Sequence, residues 1–196
     1  MRSIAKRLAA AVLLAAAVPA SAGDGGTVTG KVDVTPAKYL EETVVYLKGV
    51  KAAGHTAQTK SMDQKNMTFL PHVLVVTVGD TVKFLNNDTV VHNVYTPDGE
   101  AYNLGSFKAG EDRSYTFQSE GAYTQLCSVH PEMLAFVFVA PNPYAAAVDK
   151  KGGFTIANVP PGTYQLAVWN SHLKGPDKPV TVAAGQTVTQ NLTLKR

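Results

Sequence analysis

The sequence of 196 residues has a single cysteine, so no disulfide can form within the chain and a disulfide-stapled fold is excluded. Beyond the N-terminal region, it has no apolar run long enough to form a transmembrane helix. It also lacks a basic stripe, and this absence argues against nucleic acid as a partner. The chain is nevertheless long enough to bury a hydrophobic core, so we expect a fold that is held together by packing.

The N-terminal segment has the features of an export signal. Three basic residues precede an apolar run at residues 8–18, which is too short to span a bilayer, and an A-x-A cleavage site ends at Ala22. Residues 1–22 are therefore predicted to be a signal peptide cleaved near Ala22, leaving no membrane anchor. Its short, alanine-rich form indicates a bacterial periplasm, which is an oxidising compartment. Removal of three of the 18 basic residues leaves 15, equal to the 15 acidic residues.

The remainder of the sequence has an all-β pattern. Short runs such as TVTGKVDV, LVVTVGDTVKFLN and TYQLAVW alternate apolar with polar residues, and Gly, Pro, Asn and Asp separate them. No sustained helical period follows the signal peptide. Many short strands with frequent turns predict β-sandwiches or barrels.

The cysteine stands in the segment TQLCSVHPEM, where His130 and Met133 follow Cys127 at intervals of three residues. A free thiol in an oxidising compartment can be a buried small hydrophobe, one half of an intermolecular disulfide, or a metal ligand. A thiolate, an imidazole and a thioether together suit copper, whereas zinc more often takes a further Cys or His. With His92 as a second imidazole, the predicted set is trigonal His92, Cys127 and His130, with Met133 as a weak axial ligand.

Three segments then resemble the cupredoxins, the small blue-copper proteins such as plastocyanin and amicyanin. They are MTFLPHVLVVTVGDTVKFLNND, HNVYT and GAYTQLCSVHPEM, and the resemblance covers about residues 62–140. The resemblance implies a Greek-key β-sandwich that binds one type 1 copper per chain. It also implies a hydrogen bond between Asn93 and Ser128, the hydroxyl residue next to the cysteine, which would tie the two ligand-bearing segments together.

Four further potential copper donors lie within 18 positions of one another: His55, Met62, Met67 and His72. They can form a second, looser copper site. Alternatively, the methionines fill or flank the core and the histidines lie on the surface. His72, which follows Pro71 where the family usually has a small or polar residue, departs most from the cupredoxin pattern, and His172 is predicted to lie in a surface loop.

A second resemblance covers the two flanks. The segment FTIANVPPGTYQLAV resembles the carboxypeptidase regulatory-like domain, a small transthyretin-type sandwich, and the opening strand pair of that domain resembles GTVTGKVDV and TVVYLKGV near the other end of the chain. We therefore predict one discontinuous domain at residues 24–51 and 142–196, into which a cupredoxin domain at residues 52–141 is inserted. The alternative is that the N-terminal strands belong to the cupredoxin and the second domain simply follows it.

Two functions stay open at this stage. The first is a periplasmic one-electron carrier, which meets redox partner proteins at the exposed edge of His130, as the resemblance implies. The second is a copper-tolerance protein that buffers or delivers the ion to copper-handling proteins. An enzyme is not expected, because the chain has no H-E-x-x-H or G-x-S-x-G motif and its scattered acids, among them Asp88, are predicted to lie in solvated loops. Composite exported chains of this kind resemble methylamine-utilisation-type proteins.

Overall fold

The structure, a computed structural model, describes residues 25–51 and 54–196. The predicted signal peptide lies outside the described residues. The all-β prediction is confirmed, since regular structure in the described part consists of strands and one short 3-10 helix at Ala37–Glu42. No helix in this part of the chain is long and apolar enough to cross a membrane.

Seventeen strands follow one another in the described ranges. The first nine are β1 (Gly26–Val34), β2 (Thr43–Lys48), β3 (Thr59–Lys65), β4 (Thr68–Leu70), β5 (Val73–Thr77), β6 (Thr81–Asn86), β7 (His92–Thr96), β8 (Tyr102–Phe107) and β9 (Asp112–Thr116). The other eight are β10 (Gly121–Leu126), β11 (Leu134–Ala140), β12 (Ala145–Ala147), β13 (Gly153–Val159), β14 (Gly162–Asn170), β15 (Lys178–Val182), β16 (Thr187–Thr189) and β17 (Leu192–Leu194).

The strands form four sheets that enclose two separate cores. The sheets β5-β11-β10-β7-β8 and β4-β3-β6-β9 both contribute side chains to one core, which includes Met62, Phe84 and Cys127. The sheets β13-β1-β16, with β17 also paired to β1, and β12-β2-β14-β15 enclose the other core, which includes Val28 and Leu166. The molecule is thus built from two β-sandwiches.

The alternating sequence pattern explains which faces are buried. In β6, Val82, Phe84 and Asn86 are buried, whereas the residues between them are partly exposed. This is the two-residue period of a strand with one face against the core. The pattern places Asn86 at the end of β6 with its side chain directed into the protein, next to the loop that leads to His92.

β11 is buried on both faces and joins the two sandwiches. Its odd-numbered residues from Ala135 to Val139 lie in the first core, while Phe136 and Phe138 belong to a smaller apolar cluster between the sandwiches. Trp169 of β14 packs against both phenylalanines, with ring centroids 5.3 Å and 5.5 Å away. Aromatic packing therefore fixes the strand that follows the predicted ligand loop.

The N-terminal strands pair with strands from the C-terminal end of the chain. β1 pairs with β13, β16 and β17, and β2 pairs with β12 and β14. No strand between residues 59 and 140 is among these partners in the described part of the chain. Residues 27–33 and 44–48 therefore do not pair with the cupredoxin segment at residues 59–140. This argues against the alternative in which the N-terminal strands belong to the cupredoxin and the second domain simply follows it.

Asp80 organises the turn that precedes β6. Its carboxylate, 1% exposed, accepts hydrogen bonds from the backbone N–H of Thr77 at 2.8 Å and of Gln58 at 2.7 Å, and it lies 2.6 Å from His55 Nε2. Burial alone raises the pKa of this carboxyl group, but these partners outweigh burial and the pKa is lowered. The ionised form is therefore the form that stabilises the fold.

We expect this carboxylate to make the stability of the protein depend on acid pH. Because the folded-state pKa of Asp80 lies below its unfolded value of about 3.9, its contribution is present above that pH and is lost as the pH falls through the folded-state pKa. Asp80→Asn should reduce the free energy of unfolding at pH 7 by about 2 kcal/mol. Urea denaturation from pH 7 to pH 3 should then show a smaller further loss for the variant than for the wild type; parallel curves would contradict this role.

Candidate metal centre

The topology places the three predicted metal donors at one end of the first sandwich. His92 is the first residue of β7, and Cys127 directly follows β10. These strands are antiparallel neighbours, with Leu126 opposite Tyr95, so the residues that follow β10 run along β7 toward its first residue, His92. His130 lies in the short connection from β10 to β11, which places it beside His92 and Cys127 at the same end of the sandwich.

The donor atoms of these residues converge. Nδ1 of His92 and Nδ1 of His130 are 3.0 Å apart, and each lies 3.9 Å from Sγ of Cys127. Among the described residues, this is the group of three His, Cys, Asp or Glu side chains whose donor atoms all lie within 4.8 Å of one another. His92 and Cys127 are buried, and His130 is partly exposed.

These separations fit a single bound ion. A nitrogen and a sulfur bonded to one ion at about 2.0 Å and 2.3 Å, roughly 120° apart, lie about 3.7 Å from each other, close to the 3.9 Å observed. Two nitrogens at about 2.0 Å and roughly 100° apart lie about 3.1 Å from each other, close to the 3.0 Å observed. One thiol and two imidazoles can therefore hold an ion without moving the backbone.

Asn93 connects the two ligand-bearing segments. Its backbone N–H donates to Sγ of Cys127 at 3.4 Å, and its side-chain Oδ1 accepts from the backbone N–H of Ser128 at 3.3 Å. The side chain is 2% exposed, and its Nδ2 donates to Oδ1 of Asn103. The predicted hydrogen bond between Asn93 and Ser128 is therefore present, and the Ser128 main chain makes it, since the Ser128 side chain is exposed.

Asp88 orients His92 from the side opposite the donor cluster. Nε2 of His92 lies 3.1 Å from Oδ2 of Asp88, which leaves Nδ1 directed at Cys127. The backbone N–H of Met67, the His92 ring and the backbone N–H of Thr89 lower the pKa of Asp88 to about 2. The expectation that this aspartate is only a solvated loop charge is therefore wrong. The available sequence signal was an acidic residue four positions before a candidate ligand.

Asn86 holds the loop that carries Asp88. Its Nδ2 donates to the carbonyl oxygens of Val90 at 2.9 Å and Phe107 at 3.0 Å, and its Oδ1 accepts from the backbone N–H of Asp88 at 3.0 Å. Because Asn86 is buried, these bonds are shielded from water. The position of His92 thus depends on two polar side chains that precede it, Asn86 at the end of β6 and Asp88 in the loop.

Met133 lies at the end of the loop that carries Cys127 and His130. It is 1% exposed and belongs to the same apolar core cluster as Cys127. Its backbone N–H donates to the carbonyl oxygen of His130 at 3.0 Å, which closes a tight turn. The predicted thioether ligand, Met133, thus lies in apolar surroundings that are closed to solvent.

The four donors predicted to form a second copper site do not converge. His55 pairs with Asp80, which precedes β6, whereas the backbone of Met67 bonds to Asp88, which follows β6. These two donors therefore lie at opposite ends of a six-residue strand. Met62 is fully buried in the core, and His72 lies 3.5 Å from Glu42. The alternative prediction, that the methionines fill or flank the core, is therefore the correct one: Met62 lies in the core and Met67 is exposed.

Two facing sheets with a His–Cys–His cluster at one end define a cupredoxin-type β-sandwich. Residues 55–140 match the sequence model of the copper binding proteins of the plastocyanin/azurin family. The match assigns this sandwich of the chain as a cupredoxin domain. The copper-binding resemblance predicted from the three segments is thus confirmed at the level of the family.

Solved structures with similar sequences each cover less than half of the chain. A purple cupredoxin from Nitrosopumilus maritimus is 28% identical over 43% of this chain and all of its own, with a TM-score of 0.38. A mutant of amicyanin in its reduced state is 30% identical over 46% of this chain and 87% of its own, with a TM-score of 0.39. A copper-containing nitrite reductase from Thermus scotoductus is 29% identical over 47% of this chain but only 24% of its own, with a TM-score of 0.40.

The C-terminal part of the chain matches a different family model. Residues 141–190 match domain II of polysaccharide lyase family 4. The predicted carboxypeptidase regulatory-like domain at residues 24–51 and 142–196 is therefore not confirmed as a member of that family, although its strands form a β-sandwich.

Proposed function

We propose that this protein is a type 1 copper protein that carries one electron at a time, with one copper per chain. His92, Cys127 and His130 would be its equatorial ligands and Met133 its weak axial ligand. The observation that carries the proposal is the convergence of two Nδ1 atoms and one Sγ atom at separations of 3.0–3.9 Å. Family membership of residues 55–140 supports the choice of copper.

The protein's part in this chemistry is to restrain the donor atoms and to shield them from water. Copper, when bound, supplies a one-electron couple between its +1 and +2 states. Cys127 and His92 are buried and Asn93 links their segments, so the donors would move little between the two states. The hydrogen bond from the Asn93 N–H to Sγ withdraws electron density from the sulfur and so helps to set the potential.

The same enclosure favours electron transfer over catalysis. A catalytic metal keeps a position open for a substrate, but here the donor set is backed by the buried Met133 and the apolar core. Of the imidazoles, His130 is the one that reaches the surface. Its exposed edge would therefore be the route by which the electron leaves the donor cluster.

Exposed apolar side chains next to the ligand-bearing segments suit a transient redox partner. Five of the exposed large apolar side chains flank the ligand segments: Met67, Val90, Val91, Val129 and Leu134. Val129 lies between Cys127 and His130, and Val91 directly precedes His92. Encounters of this kind bury small interfaces and break quickly. We propose a redox protein as the partner at this surface.

The location and domain arrangement complete the proposal. We propose export to the periplasm, which rests on the predicted signal peptide at residues 1–22. We also propose that the cupredoxin is inserted into the second sandwich at residues 24–51 and 142–196. The pairings of β1 and β2 with strands after residue 144 support this arrangement, and the second sandwich would serve as a scaffold for β11.

Loading the purified mature chain with Cu²⁺ tests the function. We expect one copper per chain to produce an intense visible absorption band and to give a reversible one-electron wave in voltammetry. Copper that binds without the band, or that cannot be cycled reversibly, would instead favour the alternative role of buffering or delivering the ion.

Replacing the axial thioether should change the potential but not the ability to bind copper. Met133→Leu removes a weak donor that stabilises the +2 state and nearly keeps the side-chain volume. We therefore expect copper to be retained and the reduction potential to rise. Voltammetry measures the shift. The matched control is Met62→Leu, because Met62 is equally buried in the same core but lies in β3. Equal potentials in the two variants would refute the axial assignment.

A further inference from the structure

One exposed methionine lies beside the loop that orients His92. Three of the four methionines of the sequence are in the described part of the chain, and their exposure differs sharply. Met62 and Met133 are 0% and 1% exposed, whereas Met67 is 48% exposed. Met67 belongs to none of the three apolar clusters of the described residues. Of these three thioethers, it is the one that a small molecule in solution can reach directly.

Met67 occupies a backbone position that favours glycine. The pairing of β3 with β4 ends at Lys65 and Thr68, so Asn66 and Met67 form a two-residue hairpin turn, with φ of 52° and 54°. Such a turn needs positive φ at both positions, and the sequence Asn-Gly is strongly preferred there. The other two non-glycine residues with positive φ in the described ranges are asparagines, which tolerate this conformation. A methionine here therefore carries conformational strain that glycine would avoid.

The fold uses only the main chain of Met67. Its backbone N–H donates to Oδ2 of Asp88 at 2.7 Å, and the same oxygen lies 3.1 Å from Nε2 of His92. A glycine would supply the same N–H without the strain. Nothing within the folded chain accounts for the thioether at this position, and a strained residue of this kind points to a function.

The tip of the hairpin lies against the proposed docking surface. Asp88, which holds the Met67 backbone, shares the loop between β6 and β7 with Val90 and Val91. Both valines are exposed, and they belong with Met67 to the apolar residues proposed to meet a redox partner. A polar group added at Met67 would therefore change this surface, while Cys127 and Met133 stay buried.

We propose that Met67 is an oxidation site, at which a peroxide converts the exposed thioether into a sulfoxide and makes the docking surface more polar. The sulfur attacks one peroxide oxygen, and an S–O bond forms as the O–O bond breaks. The second oxygen takes up the proton of the transferred oxygen and leaves as water. Sulfur thus loses two electrons and the peroxide is reduced. A methionine sulfoxide reductase reverses the step while two thiols are oxidised to a disulfide.

Limiting hydrogen peroxide tests this oxidation independently of the proposed function. The copper-free Cys127→Ser chain, which lacks the competing thiol, is treated and digested, and mass spectrometry measures the oxygen added at each methionine. Met67 should react at least about tenfold faster than Met62 and Met133, because exposing a buried sulfur by local opening costs more than the roughly 1.4 kcal/mol that corresponds to this factor. Should the variant fold poorly, the copper-loaded wild type takes its place. Equal rates at the three methionines in a folded chain overturn the site.

Electron self-exchange tests the effect on docking, which rests on the proposed electron-transfer function. Line broadening in NMR spectra of mixed Cu⁺ and Cu²⁺ copies gives the rate, with a second copy as the apolar redox partner. The sulfoxide at Met67 should slow exchange at least about fivefold, because docking then desolvates a polar group that lacks a partner. An unchanged rate in a chain oxidised at Met67 overturns this effect.

Met67→Leu is the matched control for both measurements. Leucine keeps an apolar side chain of similar volume but has no thioether to oxidise. Peroxide treatment should therefore leave the self-exchange rate of this variant at its own untreated value, and slowing equal to that of the wild type overturns the assignment to Met67. A chain that fails to cycle copper reversibly refutes the proposed function, whereas faster oxidation of Met67 than of Met62 still supports the oxidation site.

Discussion

Replacing Cys127 with serine is expected to abolish the intense visible band of the copper-loaded protein. The sulfur is the one soft anionic donor of the proposed set, and a serine hydroxyl group stays protonated and binds copper weakly. The two imidazoles 3.0 Å apart would then hold the ion without a thiolate. We expect the affinity for Cu²⁺ to fall by more than the roughly 10–100-fold caused by losing an outer partner. Visible spectroscopy during a Cu²⁺ titration measures both effects.

Ser128→Ala is the control for this experiment. It changes the neighbouring side chain, but the hydrogen bond to Asn93 comes from the Ser128 backbone and survives the substitution. Colour and affinity should therefore match those of the wild type. A colourless Ser128→Ala variant would show that the hydroxyl group matters after all. An intense band that persists in Cys127→Ser would remove the thiolate from the proposed site.

Local spacing explains why the ligand loop could be predicted from the sequence. Cys127, His130 and Met133 lie within seven residues, and the short connection between β10 and β11 forces them into one region. Alternating apolar residues likewise predicted most strands. The choice of His92 as a second ligand required the assumption that its strand lies beside the strand that carries Cys127, because nothing local in the sequence shows that β7 and β10 pair.

Contacts between distant segments explain the errors. His55 and Met67 are close in sequence, yet β6 separates the features that they contact. Conversely, Glu42 and His172 are 130 positions apart and still lie 3.6 Å from each other, although His172 is an exposed loop residue as predicted. The pairing of strands determines which distant residues lie close together. The sequence pattern indicates which face of a strand a residue occupies, but not which strand lies beside it.

The two sandwiches are also more interdependent than the sequence indicates. The sequence pattern indicates only that Phe136 and Phe138 lie in a strand, but both pack against Trp169 of the other sandwich. β11 directly follows the ligand loop. Any displacement of the second sandwich would therefore act on the strand that anchors Met133, which gives that sandwich a physical role in holding the copper site.

Asp88 is the outer residue whose loss should affect the copper centre most. Its carboxylate accepts from His92 Nε2 at 3.1 Å and from the backbone N–H of Met67 at 2.7 Å. In Asp88→Ala both bonds are lost, the His92 ring is free to rotate, and its Nδ1 becomes a weaker donor. We expect Cu²⁺ affinity to fall roughly 10–100-fold and the reduction potential to rise, because the less basic imidazole stabilises the +2 state less.

Two further variants separate the charge of Asp88 from its hydrogen bonds. Asp88→Asn keeps an acceptor oxygen but loses the charge, so the affinity should fall less than in Asp88→Ala while the potential still rises. Asp63→Ala is the matched control, since Asp63 accepts from Asn87 in the same loop and does not contact His92. Voltammetry and Cu²⁺ titration of the three variants decide the matter. If Asp63→Ala shifts the potential as much as Asp88→Ala does, the effect comes from general loosening of the loop, and the specific link from carboxylate to imidazole is refuted.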